Sequence, residues 1–175
     1  MAEKVYTSEE LGDWLVEKAR GVPASRARKI LTSNDERGSD LTIVGKMYFF
    51  KYDPLWKHKL AKYDKFPMCF PLSPPDQRKN GLGFLGLNLH YLDIGTRQAV
   101  VNEFMHYASN DRMDETTRMK INYDLIKNMS RLNSVTKPCI HRYIFKQCRS
   151  QFVEIYPEEY DKAIQLPIED WVFKR

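Results

Sequence analysis

Residues 41–52, LTIVGKMYFFKY, constrain the fold more than any other stretch of the chain. Ile, Val, Tyr and Phe concentrate there as in no earlier segment, which predicts a strand at 42–52 with Gly45 as a bend or bulge. Asp53-Pro54 punctuates that strand, and a lysine-rich loop follows. A second strand is predicted at 66–72, where Pro67 and Pro71 point to an edge or bulged position. The run PLSPPDQRKNG (71–81) reads as a loop, and the alternating LNLHYL ends a third strand at 83–92. Helices are expected at 94–107, capped by Asp93, at 115–132, and at 138–149 with Pro138 in the first position. Strands at 152–156 and 161–166 close the chain. This mixed order argues against a doubly wound parallel sheet. The expectation is an α+β fold: a small curved, mostly antiparallel sheet or barrel covered by three helices.

The first forty residues have a different character. Thr7-Ser8-Glu9-Glu10 is a capping box, followed by Leu11, Trp14, Leu15 and Ala19 at helical spacing. Gly21 and Pro23 end that helix, a second is expected at 24–31, and SNDERGSD (33–40) reads as a linker. Residues 1–40 are therefore expected to be a helical arm preceding a single α+β domain at 41–175. A short isolated helix cannot bury Trp14 and Leu15 by itself, so both are expected to dock on another subunit.

At 175 residues and 42% hydrophobic composition the chain has material for one domain with a real core. No stretch approaches the ~18 apolar residues of a membrane span, and the charged start MAEKVYTSEELGDW is unlike a signal peptide. The expectation is a soluble protein that does not engage membranes. Cys69, Cys139 and Cys148 lack zinc-ligand spacing and read as buried free thiols.

Gly81, Gly83 and Gly86 satisfy the literal pattern G-x-G-x-x-G. A dinucleotide site needs a strand before those glycines and a helix starting within them. Here a proline-rich loop precedes and a strand pattern follows, so Gly81 reads as a turn residue and Gly83 and Gly86 as points of close backbone approach. A P-loop is excluded because Met47 follows Lys46 where Ser or Thr should stand. The four histidines form no ligand pair, and no nucleophile elbow or HExxH signature accompanies them. His90 and Asn88 share a phase of their strand, read as a solvated or hydrogen-bonded face. No enzyme, cofactor, metal or small-molecule substrate is expected.

Charge is more informative. The net +5 is uneven: residues 41–66 carry six basic and two acidic groups, 112–151 nine and three, and 152–175 three and six. Lys57, Lys59, Lys62 and Lys65 are interleaved with Trp56, His58 and Tyr63, a mixture suited to phosphate contact with stacking and equally to an ordinary exposed loop. On the helix expected at 138–149, Arg142, Lys146 and Arg149 recur at i, i+4 and i+7 as one cationic stripe. With Arg26, Arg28 and Lys29 they are candidates for sequence-independent contact with the DNA phosphate backbone, or for partner contacts.

GKMYFFKYDPLWKHKLAKYDKFPMCFPL (45–72) and GFLGLNLHYL (83–92) before a helix, then TRMKINYDLI (117–126) and FVEIYPEEYDKAIQLP (152–167), resemble small virion proteins of T-even-type tailed phages and their cyanophage relatives. That family is often labelled DNA end protector. The resemblance implies a non-enzymatic structural component of the virion, assembled in the host cytoplasm. It would act at the packaged DNA terminus, the head-tail junction or the baseplate hub, with other phage virion proteins as partners. A free intracellular phage DNA-binding or DNA-processing protein is the alternative.

Overall fold

The apolar run after residue 45 folds as β1 (Met47–Phe49), whose side chains enter two different clusters. Met47 and Phe49 face the larger core, while Tyr48 and, just beyond the strand, Phe50 face an aromatic one. Successive strand residues point to opposite faces, so a run apolar in both phases is buried on both. The computed structural model describes residues 5–20, 46–60, 62–73, 75–108, 134–166 and 172–174. The helices expected at 24–31 and 115–132, and Arg26, Arg28 and Lys29, lie outside the described residues.

β1 pairs antiparallel with β3 (Met68–Pro71) on one edge and β7 (Val153–Ile155) on the other. β3 in turn pairs with the second half of β5 (Gly81–Asn88), whose first half pairs with β4 (Asp76–Arg78). The opposite edge of β5 is filled by β6 (Ile140–Ile144) from Gly83↔Ile144 to Leu87↔Ile140. These six strands form one antiparallel sheet that stays open rather than closing into a barrel. β2 (Lys62–Asp64) pairs separately with β8 (Val172–Lys174).

One sheet face is covered by α1 (Ser8–Arg20), α2 (Ile94–Ala108) and the short α3 (Tyr160–Ala163). α2 begins at Asp93, whose carboxylate accepts from the Thr96 N–H (2.9 Å), and it buries Val100, Val101 and Phe104. Phe104 stacks on Phe70 of β3 at 4.5 Å between ring centroids. Arg97, fully buried, donates to the carbonyls of Leu92, Ile164 and Leu166 at 2.9, 2.7 and 3.2 Å. Burial lowers its pKa to about 10, so it stays cationic at neutral pH and ties α2 to the turn after α3. The α+β class is as the sequence indicates.

Several local expectations are corrected. Residues 138–149 are not a helix: a 3-10 turn (Lys137–Cys139) leads into β6, and a second follows at Phe145–Gln147. Ile140, Tyr143 and Ile144 favour extended backbone, and the unpaired edge of β5 supplies five residues of pairing. The periodicity of the three cations was incidental to that choice. Conversely, 161–166 is not a strand but contributes to α3, which Pro157 and the acidic Glu158 and Glu159 introduce through a 3-10 turn. β3 sits inside the sheet, not at its edge, because Pro67 precedes the ladder and Pro71 ends it. The loop 71–81 contains β4, which turns into β5 at Gly81, with φ +116°.

The glycine triplet lies wholly in β5. A Cβ on Gly83 would collide with the Tyr143 carbonyl of β6, and one on Gly86 with the Cys69 sulfur of β3. These glycines serve strand packing, not a pyrophosphate. The strand expected to reach 92 ends at Asn88, and Leu89–Tyr91 is a 3-10 turn. Asn88 and His90 are buried and hydrogen-bonded, not solvated: the Asp64 carboxylate accepts from Asn88 Nδ2 at 2.8 Å and meets His90 Nδ1 at 2.8 Å.

Trp14 and Leu15, expected to dock on another subunit, pack against the core of their own chain. Leu11 beside them is 2% exposed, and Trp14 Nε1 donates to Glu159 at 3.3 Å. Lys18 pairs with Glu159 and donates to the Glu154 carbonyl at 2.9 Å. The capping box is formed: Glu10 N–H donates to Thr7 Oγ1 (3.2 Å) and Thr7 N–H to Glu10 Oε2 (2.8 Å).

Candidate nucleic-acid interface

Beyond β1 the chain continues extended, and residues 51–53 are held between two other segments. On one side the Tyr52 N–H donates to the Lys65 carbonyl at 2.8 Å. On the other, Tyr52 bridges Cys148, the Asp53 N–H donates to Gln147 O at 3.0 Å, and the Arg149 N–H donates to Lys51 O at 2.7 Å. The Ser150 hydroxyl accepts from the Lys51 N–H at 2.7 Å. Backbone pairing thus joins the two positively charged stretches that the sequence keeps far apart.

The side chains from these segments line a surface pocket of about 480 Å3: Lys51, Tyr52, Asp53, Lys57, Tyr63, Lys65 and Arg149. Four cations and one carboxylate therefore line the same pocket. Asp53 accepts from Lys57 Nζ at 2.8 Å and lies 3.6 Å from Arg149 Nη2. The Lys57 hydrogen bond, ahead of the Arg149 charge, holds the Asp53 carboxyl below its ordinary range, and the same contact raises Lys57. Exposed pairs of this kind stabilise a fold little, so an incoming anion can take over the cations at low cost.

Tyr52 anchors the floor. Its hydroxyl accepts from the Ile144 N–H at 3.2 Å, and burial pushes its pKa up to about 12, so the phenol is neutral at physiological pH. Around it Phe50, Phe84, Tyr143 and Phe152 form the aromatic cluster, with Phe50 and Phe152 stacked at 4.3 Å. The backbone carrying Lys51 and Asp53 is thereby fixed to the core. A rigid base lets several cations be presented together without ordering each separately.

Of the residues singled out from sequence, Lys57, Tyr63, Lys65 and Arg149 meet in this pocket, and Lys59 is adjacent, its amine 4.8 Å above the Trp56 ring. Lys146 is exposed on the 3-10 turn after β6. Arg142 does not share a stripe with them. Its guanidinium pairs with the Asp76 carboxylate and donates to the carbonyls of Asp76 (2.8 Å) and Gly81 (3.1 Å), clasping the β4–β5 turn. Lys51, Asp53 and Tyr52 are pocket residues that the sequence did not single out. Their only local signal is their position at the end of β1, because the pairing with 147–149 is non-local.

A second cavity, of about 200 Å3, is lined by Lys62, Tyr91, Val135, Pro138, Cys139 and His141. Its single cation makes it a weaker site for a polyanion. Among the described residues no group of His, Cys, Asp and Glu is arranged to hold a metal ion.

A family model described as "Phage T4 terminal DNA protecting protein" matches residues 32–175. The chain belongs to that family. The match covers all the pocket residues and the whole of the sheet, and leaves outside it α1, which docks on that sheet's core. Comparison with curated proteins gave no match, and neither did comparison with solved structures.

Proposed function

We propose that this protein occupies the terminus of linear phage DNA as a component of the virion, gripping the phosphate backbone through Lys51, Lys57, Lys65 and Arg149. The observation that carries this reading is the convergence of these four cations on one pocket in a chain of a terminal DNA-protecting family. Lys59 and Lys146 extend the positive surface beside it. Protection follows from occupancy: a covered terminus is inaccessible to an exonuclease, and no chemical step is required of the protein.

The grip is electrostatic and independent of base sequence. Neutralising several phosphates releases condensed counterions, so affinity falls steeply with salt. Replacing Lys51, Lys65 and Arg149 together by Ala should lower the slope of log K against log salt by about two to three while the aromatic floor keeps the fold. In parallel, the wild-type protein should slow digestion of linear duplex by an exonuclease, and the triple variant should not. Absence of DNA binding at low salt by wild-type protein would end this reading. The virion assignment is tested by whether purified particles contain the protein in fixed stoichiometry.

A further inference from the structure

The loop that brings Lys57 to the pocket also displays apolar surface. Leu55, Trp56 and Leu60 are 43%, 50% and 39% exposed, whereas the other exposed large apolar side chains among the described residues are scattered along the chain. Trp56 is held rather than loose. The Lys59 amine lies 4.8 Å above its ring, the His58 ring stands 5.9 Å away at a steep angle, and the Lys59 N–H donates to the Trp56 carbonyl at 2.8 Å. An indole fixed in solvent next to a four-cation pocket is suited to a ligand with an anionic edge and a flat apolar face.

Duplex DNA has phosphates throughout its length, but its base faces are covered by stacking everywhere except at an end. Only the terminus offers phosphate and an open base-pair face side by side. We infer that Trp56 stacks on the terminal base pair of a duplex whose end phosphates lie in the basic pocket. The aromatic contact distinguishes an end from continuous DNA, and the lysines and arginine supply affinity for both. The inference rests on the DNA-binding reading above and adds to it the element that makes binding end-selective.

The test compares one duplex sequence in two forms, blunt linear and covalently closed circular, titrated against wild-type protein, Trp56→Ala and Trp56→Phe at fixed low salt. The wild-type protein should bind the linear form about tenfold more tightly, as expected for one base stacked on an aromatic side chain. Trp56→Ala should abolish that preference while leaving affinity for the circle unchanged, and Trp56→Phe should retain most of it. A preference for linear DNA that survives in Trp56→Ala, or an equal loss on both forms, overturns the stacking role while leaving phosphate binding intact. Failure of wild-type protein to bind either form overturns the DNA-binding reading and this inference with it. Trp56 is outside both hydrophobic clusters, so its replacement does not threaten the fold.

Discussion

Lys57 and Arg149, drawn from the two basic stretches of the chain, converge on the single carboxylate of Asp53, at 2.8 Å from Oδ1 and 3.6 Å from Oδ2. Under the proposed DNA-binding role, a carboxylate in that position does two things: it holds the cations together when no DNA is present, and it competes with a phosphate for them. Replacing Asp53 with Asn removes the competing charge without changing the shape of the side chain. Affinity for linear duplex should then rise by about 3- to 10-fold, consistent with the cost of a like charge facing a phosphate across a partly solvated gap. A fall in affinity, measured by titration at fixed salt, would mean that Asp53 orders the pocket more than it opposes the ligand.

Arg142 and Arg149 are seven positions apart in sequence but make different contacts, Arg149 beside Asp53 in the pocket and Arg142 on the carbonyls of the β4–β5 turn. Arg149→Ala should reduce the salt slope of DNA binding by about one. Arg142→Ala should leave the slope unchanged and lower Tm by several degrees, because it releases the carbonyls of Asp76 and Gly81 and loosens the β4–β5 turn. Reversal of these outcomes in paired binding and melting experiments would return Arg142 to the DNA surface.

The docking of α1 should depend on pH through Glu159. Partial burial raises its pKa, but the hydrogen bonds from Lys18, the Tyr156 N–H and Trp14 outweigh that and hold the carboxyl below its ordinary 4.5. Because the folded pKa is depressed, the stabilisation is complete above the unfolded value near 4.5 and is lost as pH falls through the folded value. Glu159→Gln should therefore cost about 0.5–1 kcal/mol at pH 7, after allowance for solvent screening. The difference in Tm between the two proteins should close in acid. A constant difference across the acid range would show that packing of Leu11 and Trp14, rather than charge, holds the helix.

Gly83→Ala tests the glycine pattern. The added methyl meets the Tyr143 carbonyl of the paired strand, and backbone cannot swing aside as a flexible side chain can. Urea unfolding should show a loss of about 1–3 kcal/mol, the usual cost of overpacking a well-packed site. A neutral result would imply that β5 and β6 separate readily at this point.

Much of this architecture was legible along the chain. The capping box at Thr7 and Glu10, the Asp93 start of α2 and the strands expected at 42–52, 66–72 and 83–92, which overlap those found at 47–49, 68–71 and 81–88, are local signals, set by side-chain periodicity and capping chemistry that need no distant partner. They gave the α+β class and the reading of Gly81, Gly83 and Gly86 as turn and close-approach residues. The failure that matters most for the site has a non-local cause. Residues 142, 146 and 149 place cations at helical spacing, yet an unfilled sheet edge and the β-forming side chains of 140–144 made that segment a strand. That change dispersed the expected stripe and sent Arg142 to a turn.

The sequence by itself determined that two stretches would be strongly basic and that aromatic residues would be interleaved with lysines in the first. Tertiary structure alone decided which of those charges meet. The bonds joining Tyr52 to Lys65 and residues 51–53 to 147–149 are backbone contacts, made by groups every residue has, so no side-chain pattern announces them. Their partners are fixed by closure of the aromatic cluster around Phe50, Tyr143 and Phe152, a cooperative packing of segments far apart in the chain. Lys51, Lys57, Lys65 and Arg149 form one pocket for that reason.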